Sequence, residues 1–361
     1  MPHTALAAVM HTPGKPLELQ TITLADPGPG EALVRTMSTG ICGTDVFFAD
    51  GRYPYPAPTV LGHEAAGIVE ALGPGTDDVH VGDRVIVCDQ SFCGRCANCL
   101  SGQMVYCTDP GPKQRQRRRM HIDGHPARQY LGVSSFAERM LVDTANLIPL
   151  PAEMSFDAGA LLSCCVTTGT AAVFNVARPE PGTSIAVIGC GGVGLAAVQA
   201  ARIAGAAQII AIDPQPHRRA LAATLGATDV IDSNTTDPVA AATELSHGGV
   251  HRSIEAVGTI ATATQAFRML RSTGHATILG MLPADADLPL PAGLLRHGRS
   301  ITGTVMGSVR TRHDIPRYAA LATSGTLRTD DLVTTHHSLT DINDALDEAR
   351  HHRGARAVIT F

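Results

Sequence analysis

Residues 184–203 read SIAVIGCGGVGLAAVQAARI, an apolar run, a glycine-rich turn and an alanine-rich stretch. Inside it, Val187-Ile188-Gly189-Cys190-Gly191-Gly192-Val193-Gly194 has the spacing G-x-G-x-x-G between a strand pattern and a helix pattern. Each glycine there has a physical job. Gly189 permits the tight turn, Gly191 lets the backbone approach a pyrophosphate, and Gly194 lets the helix pack closely on the strand. The first N–H groups of the helix then receive the phosphates. Asp213 ends the apolar run Ile209–Ile212 that follows. An acidic side chain at that point accepts hydrogen bonds from adenosine ribose hydroxyls and repels a 2′-phosphate, which predicts NAD over NADP. The expected cofactor site is Gly189, Gly191, Gly192, Val193, Gly194 and Asp213, with Arg218 close by.

Outward from this stretch, apolar strands alternate with helical segments. The readings are strands at 184–188, 208–213, 229–231, 251–256, 275–279 and 300–305, with helices at 193–204, 217–225, 238–245 and 262–270. Six strands alternating with helices make a doubly wound parallel sheet. The uncharged stretch from Pro181 to Ala201 has the length of a membrane span, but its five glycines fit a soluble strand, turn and helix. The first 150 residues have a different texture. Short β-rich runs at 31–36, 65–70 and 84–88 are separated by Pro27-Gly28-Pro29-Gly30, Gly73-Pro74-Gly75 and Gly82-Asp83, the punctuation of a small β-barrel. Beyond Leu332 a helix at 342–350 and a strand at 357–361 close the chain.

The chain has 361 residues, enough for two domains, and 28 Lys+Arg against 33 Asp+Glu give a net charge of −5. That balance argues against nucleic-acid or membrane-surface partners. No basic segment followed by an apolar core opens the chain, so the cytoplasm is the expected compartment. In that setting the nine cysteines read as metal ligands or buried thiols before disulfides.

Cys93, Cys96, Cys99 and Cys107 form a C-x2-C-x2-C-x7-C cluster suited to a tetrahedral zinc whose ligand positions are all filled, hence a structural one. A second constellation is dispersed: Cys42, the His63-Glu64 pair, and the Cys164-Cys165 pair. Two thiolates and one imidazole would leave a zinc position open for chemistry, but spacing alone does not choose between the paired residues. The run from Lys113 to Arg119 holds five cations in seven residues; it reads as a solvated loop, or as a clamp for an anionic substrate group.

Taken together these motifs, with Gly62–Gly67, Cys164-Cys165-Val166-Thr167-Thr168-Gly169 and the terminal Arg356–Phe361, resemble the zinc-containing medium-chain alcohol dehydrogenases over essentially the whole chain. The resemblance implies a GroES-like β-barrel catalytic domain from residues 1–165 and 306–361, and a Rossmann domain from 166–305. It implies Cys42, His63 and Cys164 as ligands of a catalytic zinc, with Cys165 a non-ligand neighbour. It makes Glu64 a carboxylate near the metal, Asp45 the group orienting His63, and Thr44 the hydroxyl of a proton relay. Thr168 and Val193 fall where the family contacts nicotinamide, and Arg356 where it reaches the pyrophosphate. Tyr53, Asp89, Tyr130 and Leu131 fall on the substrate pocket. The implied reaction is hydride transfer between a small alcohol or aldehyde and NAD, with two zincs per subunit and a homo-oligomer, a dimer favoured over a tetramer by the intermediate length of the 108–129 loop.

Three positions depart from the family pattern. Phe47 stands where many members have a relay histidine, and Gly43 where a basic residue is common. Asp89 replaces an aromatic wall residue, which suggests a polar or cationic substrate unless the carboxylate turns outward and caps the cysteine lobe. Three other activities fit the same motifs: dehydrogenation of a thiol–formaldehyde adduct, or oxidation by a tightly held NAD recycled by an external acceptor; reduction of an activated C=C or C=N bond; and NAD binding without turnover.

Overall fold

The computed structural model describes residues 3–109 and 117–361. Contacts divide the chain into two compact units, residues 1–164, 310–324 and 329–361, and residues 165–309 with 325–328. The first boundary lies one residue from the expected one, and the return to the first unit comes a few residues later than expected.

In the first unit, β1 (His3–Met10), β2 (Glu18–Leu24) and β3 (Glu31–Gly40) lead to the short helix α1 (Gly43–Ala49). β4 (Thr59–Val60), β5 (Glu64–Leu72) and β6 (Arg84–Val87) follow, and after the cysteine lobe come β7 (Arg117–Ile122), β8 (His125–Gln129), β9 (Arg139–Asp143), β10 (Leu147–Pro149) and helix α2 (Phe156–Ser163). The second unit begins with α3 (Cys165–Ala171) and then alternates β11 (Ser184–Ile188), α4 (Gly192–Ile203), β12 (Gln208–Ile212), α5 (Pro216–Leu225), β13 (Asp229–Ile231), α6 (Pro238–Leu245), β14 (Val250–Glu255), α7 (Ile260–Arg268), β15 (Leu270–Ile278) and β16 (Ser300–Gly303). The chain then returns through α8 (Thr311–Thr323), β17 (Val333–His337), α9 (Ile342–Arg350) and β18 (Arg356–Thr360) to the first unit.

β1, β2, β7, β8 and β4 close a barrel, and a seven-stranded sheet runs β10-β6-β5-β3-β18-β17 with β9 also on β3. The C-terminal strand β18 pairs antiparallel with β3, so the chain's last residues lie beside the strand that leads into Cys42. The barrel core is apolar, with Met10, Ile22, Leu24, Met120, Ile122 and Phe136 all within 2% of complete burial.

The second unit is one parallel sheet in the order β13-β12-β11-β14-β15-β16. From β11 the chain winds outward through β12 and β13, then crosses to the other side of β11 at β14. That reversal puts a topological switch point between β11 and β14, the place where open sheets of this kind bind ligands beyond the C-terminal ends of their strands. β11 is buried at every position, as a central parallel strand must be. The barrel-plus-parallel-sheet architecture is the one read from the sequence, and the stretch from Pro181 to Ala201 folds as the expected strand, turn and helix. No single helix among the described residues is long and apolar enough to cross a membrane.

The basic run departs from the sequence reading. Lys113–Gln116 lie outside the described residues, but Arg117–Arg119 open strand β7 rather than a loop. β7 pairs with β2 and with β8, so most of the segment 117–129 is a hairpin built into the barrel. The guanidinium of Arg119 donates to Glu31 Oε2 at 2.7 Å and to the Asp26 carbonyl, so this side chain is held by the protein itself. The helix expected at 262–270 begins earlier, at Ile260, because Thr259 caps it by accepting from the Thr262 amide at 3.1 Å.

Candidate active site and cofactor cradle

Three separate elements bring the dispersed constellation together. Cys42 immediately precedes α1, His63 sits in the turn before β5, and Cys164 sits just after α2. At Cys164 the backbone leaves the helix (φ −141°, ψ −77°), and Cys165 starts the next helix. This break distinguishes two adjacent cysteines that spacing could not separate. Side-chain donor atoms of Cys42, His63, Glu64 and Cys164 all lie within 4.8 Å of one another, and all four residues are buried.

Asp45, fully buried, organises this group. Its Oδ2 accepts the Cys42 amide at 3.0 Å, where a carboxylate in the first turn of α1 also suits the helix dipole. Its Oδ1 accepts the Gly62 amide at 3.2 Å and lies 3.0 Å from His63 Nδ1. With Nδ1–H directed at Asp45, the lone pair sits on Nε2, which lies 3.5 Å from Cys164 Sγ. The turn itself demands glycine. Gly62 has φ +88°, and a Cβ there would stand 2.4 Å from Phe136 Cδ1 and 2.7 Å from the Phe136 amide nitrogen.

The electrostatics are those of a ligand set. A hydrogen bond from the Cys164 thiol holds Cys42 well below the usual thiol range despite burial, and Cys164 is correspondingly pushed up. Burial opposes a charged imidazole at His63, but the Asp45 carboxylate outweighs it and raises the ring well above its usual value. Burial raises Glu64 to about 8. Both Glu64 oxygens are buried without a hydrogen bond, the nearest cation being Arg356 Nη2 at 3.5 Å from Oε1. Arg356 is itself buried and donates to the Ile41 carbonyl at 2.7 Å, which ties β18 to the residue before Cys42. Gly40 leaves room for this carboxylate, since a Cβ there would lie 2.3 Å from Glu64 Oε2.

These residues fit a zinc ion. Two thiols and an imidazole converge with soft and borderline donors, and a tetrahedral site with usual zinc bond lengths has S···N edges of about 3.5 Å, the separation seen between Cys164 and His63. The cysteine lobe fits equally. Sulfur–sulfur separations are 3.9 Å for Cys93–Cys99, 3.5 Å for Cys96–Cys99 and 3.9 Å for Cys96–Cys107, against about 3.8 Å for the edge of a four-thiolate zinc site. Backbone amides already point at these sulfurs, from Cys93 to Cys107 at 3.3 Å and from Cys96 to Cys93 at 3.3 Å. Such donors hold Cys96 down to about 5, the Cys99 amide contributing most.

Around His63 the walls are aromatic. Tyr130, fully buried, meets the His63 ring edge-on with centroids 5.9 Å apart, and Phe48, Tyr55 and Tyr53 continue the series at 5.2–5.9 Å spacings. The Tyr130 hydroxyl is buried without a hydrogen-bond partner. Tyr53 also packs on Phe47 at 6.2 Å, while Leu131 packs against the barrel core. Sequence reading missed Phe48 and Tyr55; the density of aromatic residues from Phe47 to Tyr55 in a chain with few of them was the available signal. Asp89 lies just beyond β6, partly buried, and its Oδ1 accepts the Gln90 side-chain amide at 3.1 Å. Burial raises its carboxyl, against the pull of the His63 charge. Thr44 lies in the first turn of α1, partly exposed.

In the second unit the glycine fingerprint forms a cradle. Gly191 is the N-cap of α4 and leaves its turn open, with only Arg218 Nη1 near, 3.9 Å from where a Cβ would be. Gly189 has φ +89°, and a Cβ on Gly194 would stand 1.8 Å from the Gly189 carbonyl oxygen. The first turn of α4, with Gly192 and Val193, therefore presents its amides over a surface that only glycines permit, which fits a dinucleotide pyrophosphate. Asp213 is buried and accepts the Cys190 amide at 2.7 Å and the Gln215 amide at 2.8 Å, so its carboxylate stands at the fingerprint turn. Thr168 on α3 lies beside Val193 because Gly169 lets the helices touch; a Cβ there would sit 2.1 Å from the Val193 carbonyl oxygen.

Residues 28–152 match the family "Alcohol dehydrogenase GroES-like domain", and residues 192–324 match "Zinc-binding dehydrogenase". The chain belongs to the zinc-containing medium-chain alcohol dehydrogenases. The S-(hydroxymethyl)glutathione dehydrogenase of an Escherichia coli O6:H1 strain is 36% identical over 98% of this chain and 99% of its own length. Benzyl alcohol dehydrogenase from Acinetobacter calcoaceticus superposes with a TM-score of 0.94 at 32% identity, covering 99% of each chain. A zinc-binding dehydrogenase from Sinorhizobium meliloti 1021 bound to NADP gives 0.84 at 26% identity, covering 99% of this chain and all of the other. The family makes this chain an alcohol oxidoreductase that uses zinc and a nicotinamide cofactor.

Proposed function

We propose that this dehydrogenase interconverts an alcohol with its aldehyde or ketone using NAD, and holds two zinc ions per subunit. The observation that carries the reading is the convergence of Cys42, His63 and Cys164 on one buried point, with His63 fixed by Asp45. Those three residues would hold a catalytic zinc, and Cys93, Cys96, Cys99 and Cys107 a structural one. Zinc supplies Lewis acidity toward the substrate oxygen, and the nicotinamide supplies a hydride acceptor or donor.

The chain's own residues do the rest. Asp45 keeps the His63 lone pair on Nε2. Thr44 Oγ1 takes the proton that the alcohol oxygen loses and passes on its own toward the ribose. Phe47 blocks the histidine route to solvent, so the proton leaves by the ribose or by water. Asp213 favours NAD over NADP, since a 2′-phosphate would meet a carboxylate already committed to two amides. Arg356 would reach the pyrophosphate while remaining tied to Ile41.

The aromatic series from Tyr53 to Tyr130, packed beside His63, favours an aromatic or bulky apolar alcohol, with Asp89 as a polar group of its pocket. A second reading, oxidation of a thiol–formaldehyde adduct, is favoured by the 36% identity to a dehydrogenase named for such a substrate. The cytoplasm is the compartment that fits this reading, since cysteines committed to zinc are kept as thiolates in a reducing environment. A homodimer is consistent with the edge position of β16, whose outer side is unpaired within the sheet.

The test is zinc content per subunit together with an NAD-reduction screen of benzyl, aliphatic and charged alcohols and of formaldehyde with and without glutathione. Two zincs and chelator-sensitive turnover of alcohols support the reading. Turnover only of formaldehyde plus glutathione selects the adduct, and turnover only of conjugated C=C or C=N substrates overturns alcohol chemistry. NAD binding with no turnover of any substrate leaves a nucleotide-binding protein.

A further inference from the structure

The register of the central strands puts Ile188 of β11 opposite Glu255 of β14, at the strand ends flanking the switch point. Glu255 is completely buried. β14 is the second strand of the sheet to lead into a carboxylate, after β12 and Asp213, but Glu255 faces the protein itself. Its Oε1 accepts three hydrogen bonds, from the Val257 amide at 2.9 Å, the Gly258 amide at 2.7 Å and the Thr262 hydroxyl at 2.7 Å. Its carbonyl oxygen accepts the Leu279 amide at 2.8 Å, which joins the loop after β14 to the loop after β15. Its Oε2 is buried without a hydrogen bond.

The loop so held is pressed between two backbones. Gly280 has no room for a Cβ, which would lie 2.1 Å from the Gly258 nitrogen and 2.7 Å from Glu255 Oε2. On the other side, a Cβ on Gly189 would lie 2.6 Å from Val257 Cγ2, so the Val257 side chain stands directly over the fingerprint turn. Val257 is nevertheless 42% exposed, an apolar side chain open to solvent beside the fingerprint turn. A carboxylate buried with one oxygen unpartnered is costly, and here its other oxygen gathers three donors and fixes a loop at the C-terminal end of the sheet.

We propose that Glu255 is a positioning residue for the dinucleotide, fixing Val257 and the loop amides of residues 256–259 beside the Gly189 turn. The proposal rests on the reading that this unit binds NAD(H). The experiment measures NADH affinity by fluorescence titration of the zinc-loaded protein for wild type, Glu255→Gln, Glu255→Ala and Thr262→Val, alongside zinc content and kcat at saturating NAD.

Losing the anionic acceptor of three donors is expected to weaken NADH binding about tenfold or more in Glu255→Ala. Zinc content and saturated kcat stay near wild type. Glu255→Gln keeps an acceptor oxygen and holds affinity within about threefold of wild type, and Thr262→Val, losing one donor, shows a rise of roughly two- to fivefold. A folded Glu255→Ala protein with wild-type NADH affinity overturns the proposal. So does a Glu255→Gln protein as weak as the alanine variant. If the alanine variant does not fold, Thr262→Val decides, and an unchanged affinity there overturns the proposal. Wild-type protein that binds no NADH overturns the NAD reading itself, and with it the proposal.

Discussion

Replacing Asp45 by asparagine is expected to loosen one zinc and leave the other alone. The carboxylate accepts three donors, the amides of Cys42 and Gly62 and the His63 Nδ1–H. A hydrogen bond to a charged acceptor is worth about 1.5–3 kcal/mol, against roughly 0.5–1.5 kcal/mol for a neutral one. The amide oxygen of asparagine can serve Gly62 and His63 only if its NH2 faces the Cys42 N–H, donor against donor. In the flipped orientation the NH2 donates to Nδ1, and the imidazole proton moves to Nε2, the atom that must present a lone pair to the metal. Either way the cost at His63 is about 1.4–2.7 kcal/mol, a 10- to 100-fold weaker site, the range found when groups supporting metal ligands are removed. The assay is zinc competition with a chromophoric chelator, following metal release against time and chelator concentration. Wild type should release two zincs at high chelator, and Asp45→Asn should release one early while the four-cysteine lobe keeps its own. Identical release curves would refute the argument that Asp45 sets His63. Simultaneous early loss of both zincs would show instead that the substitution unfolds the barrel.

Further outcomes follow from other contacts. Gly62→Ala should destabilise the first unit by about 2–4 kcal/mol, since the left-handed backbone and the Phe136 overlap both oppose a Cβ; urea unfolding of the zinc-loaded protein checks this, and a wild-type midpoint would contradict it. Asp213→Ala should raise KM for NAD and narrow its preference over NADP, read from kcat/KM for the two cofactors; an unchanged ratio would remove Asp213 from cofactor selection. Asp89→Phe should shift activity from alcohols bearing amino or hydroxyl groups toward plain benzyl alcohols, and an unaltered ranking across such a panel would mean that Asp89 does not meet the substrate. Cys107→Ser should lower the thermal midpoint and the zinc content to one ion per subunit while the remaining folded protein still turns over alcohol; full retention of two zincs would exclude the lobe as a metal site.

The parts of this protein legible in sequence are those where one residue type is forced by local geometry. Gly189, Gly191 and Gly194 lie where a side chain collides with backbone or must leave room, so their spacing alone located β11 and α4 to within a residue. Elements whose signals conflict were harder. α8 carries Pro316 in its interior, and Arg271-Ser272-Thr273-Gly274 reads as a turn although β15 runs through it from Leu270. The arginines of β7 read as a loop, although the hairpin is anchored from outside, by Glu31 holding Arg119.

The active site shows the same division. The four-cysteine lobe is local, and its spacing sufficed. Cys42, His63 and Cys164 are far apart in the chain, and the choice of Cys164 over Cys165 rests on the family resemblance in the sequence and on a helix break in the structure. What brings His63 to Cys42 is one aspartate three residues beyond Cys42, which caps the helix and orients the ring with the same carboxylate. A ligand set assembled this way is coupled. Any change that shifts α1 also turns His63, so substitutions in the first turn of that helix should be read out in zinc affinity before they are read out in turnover.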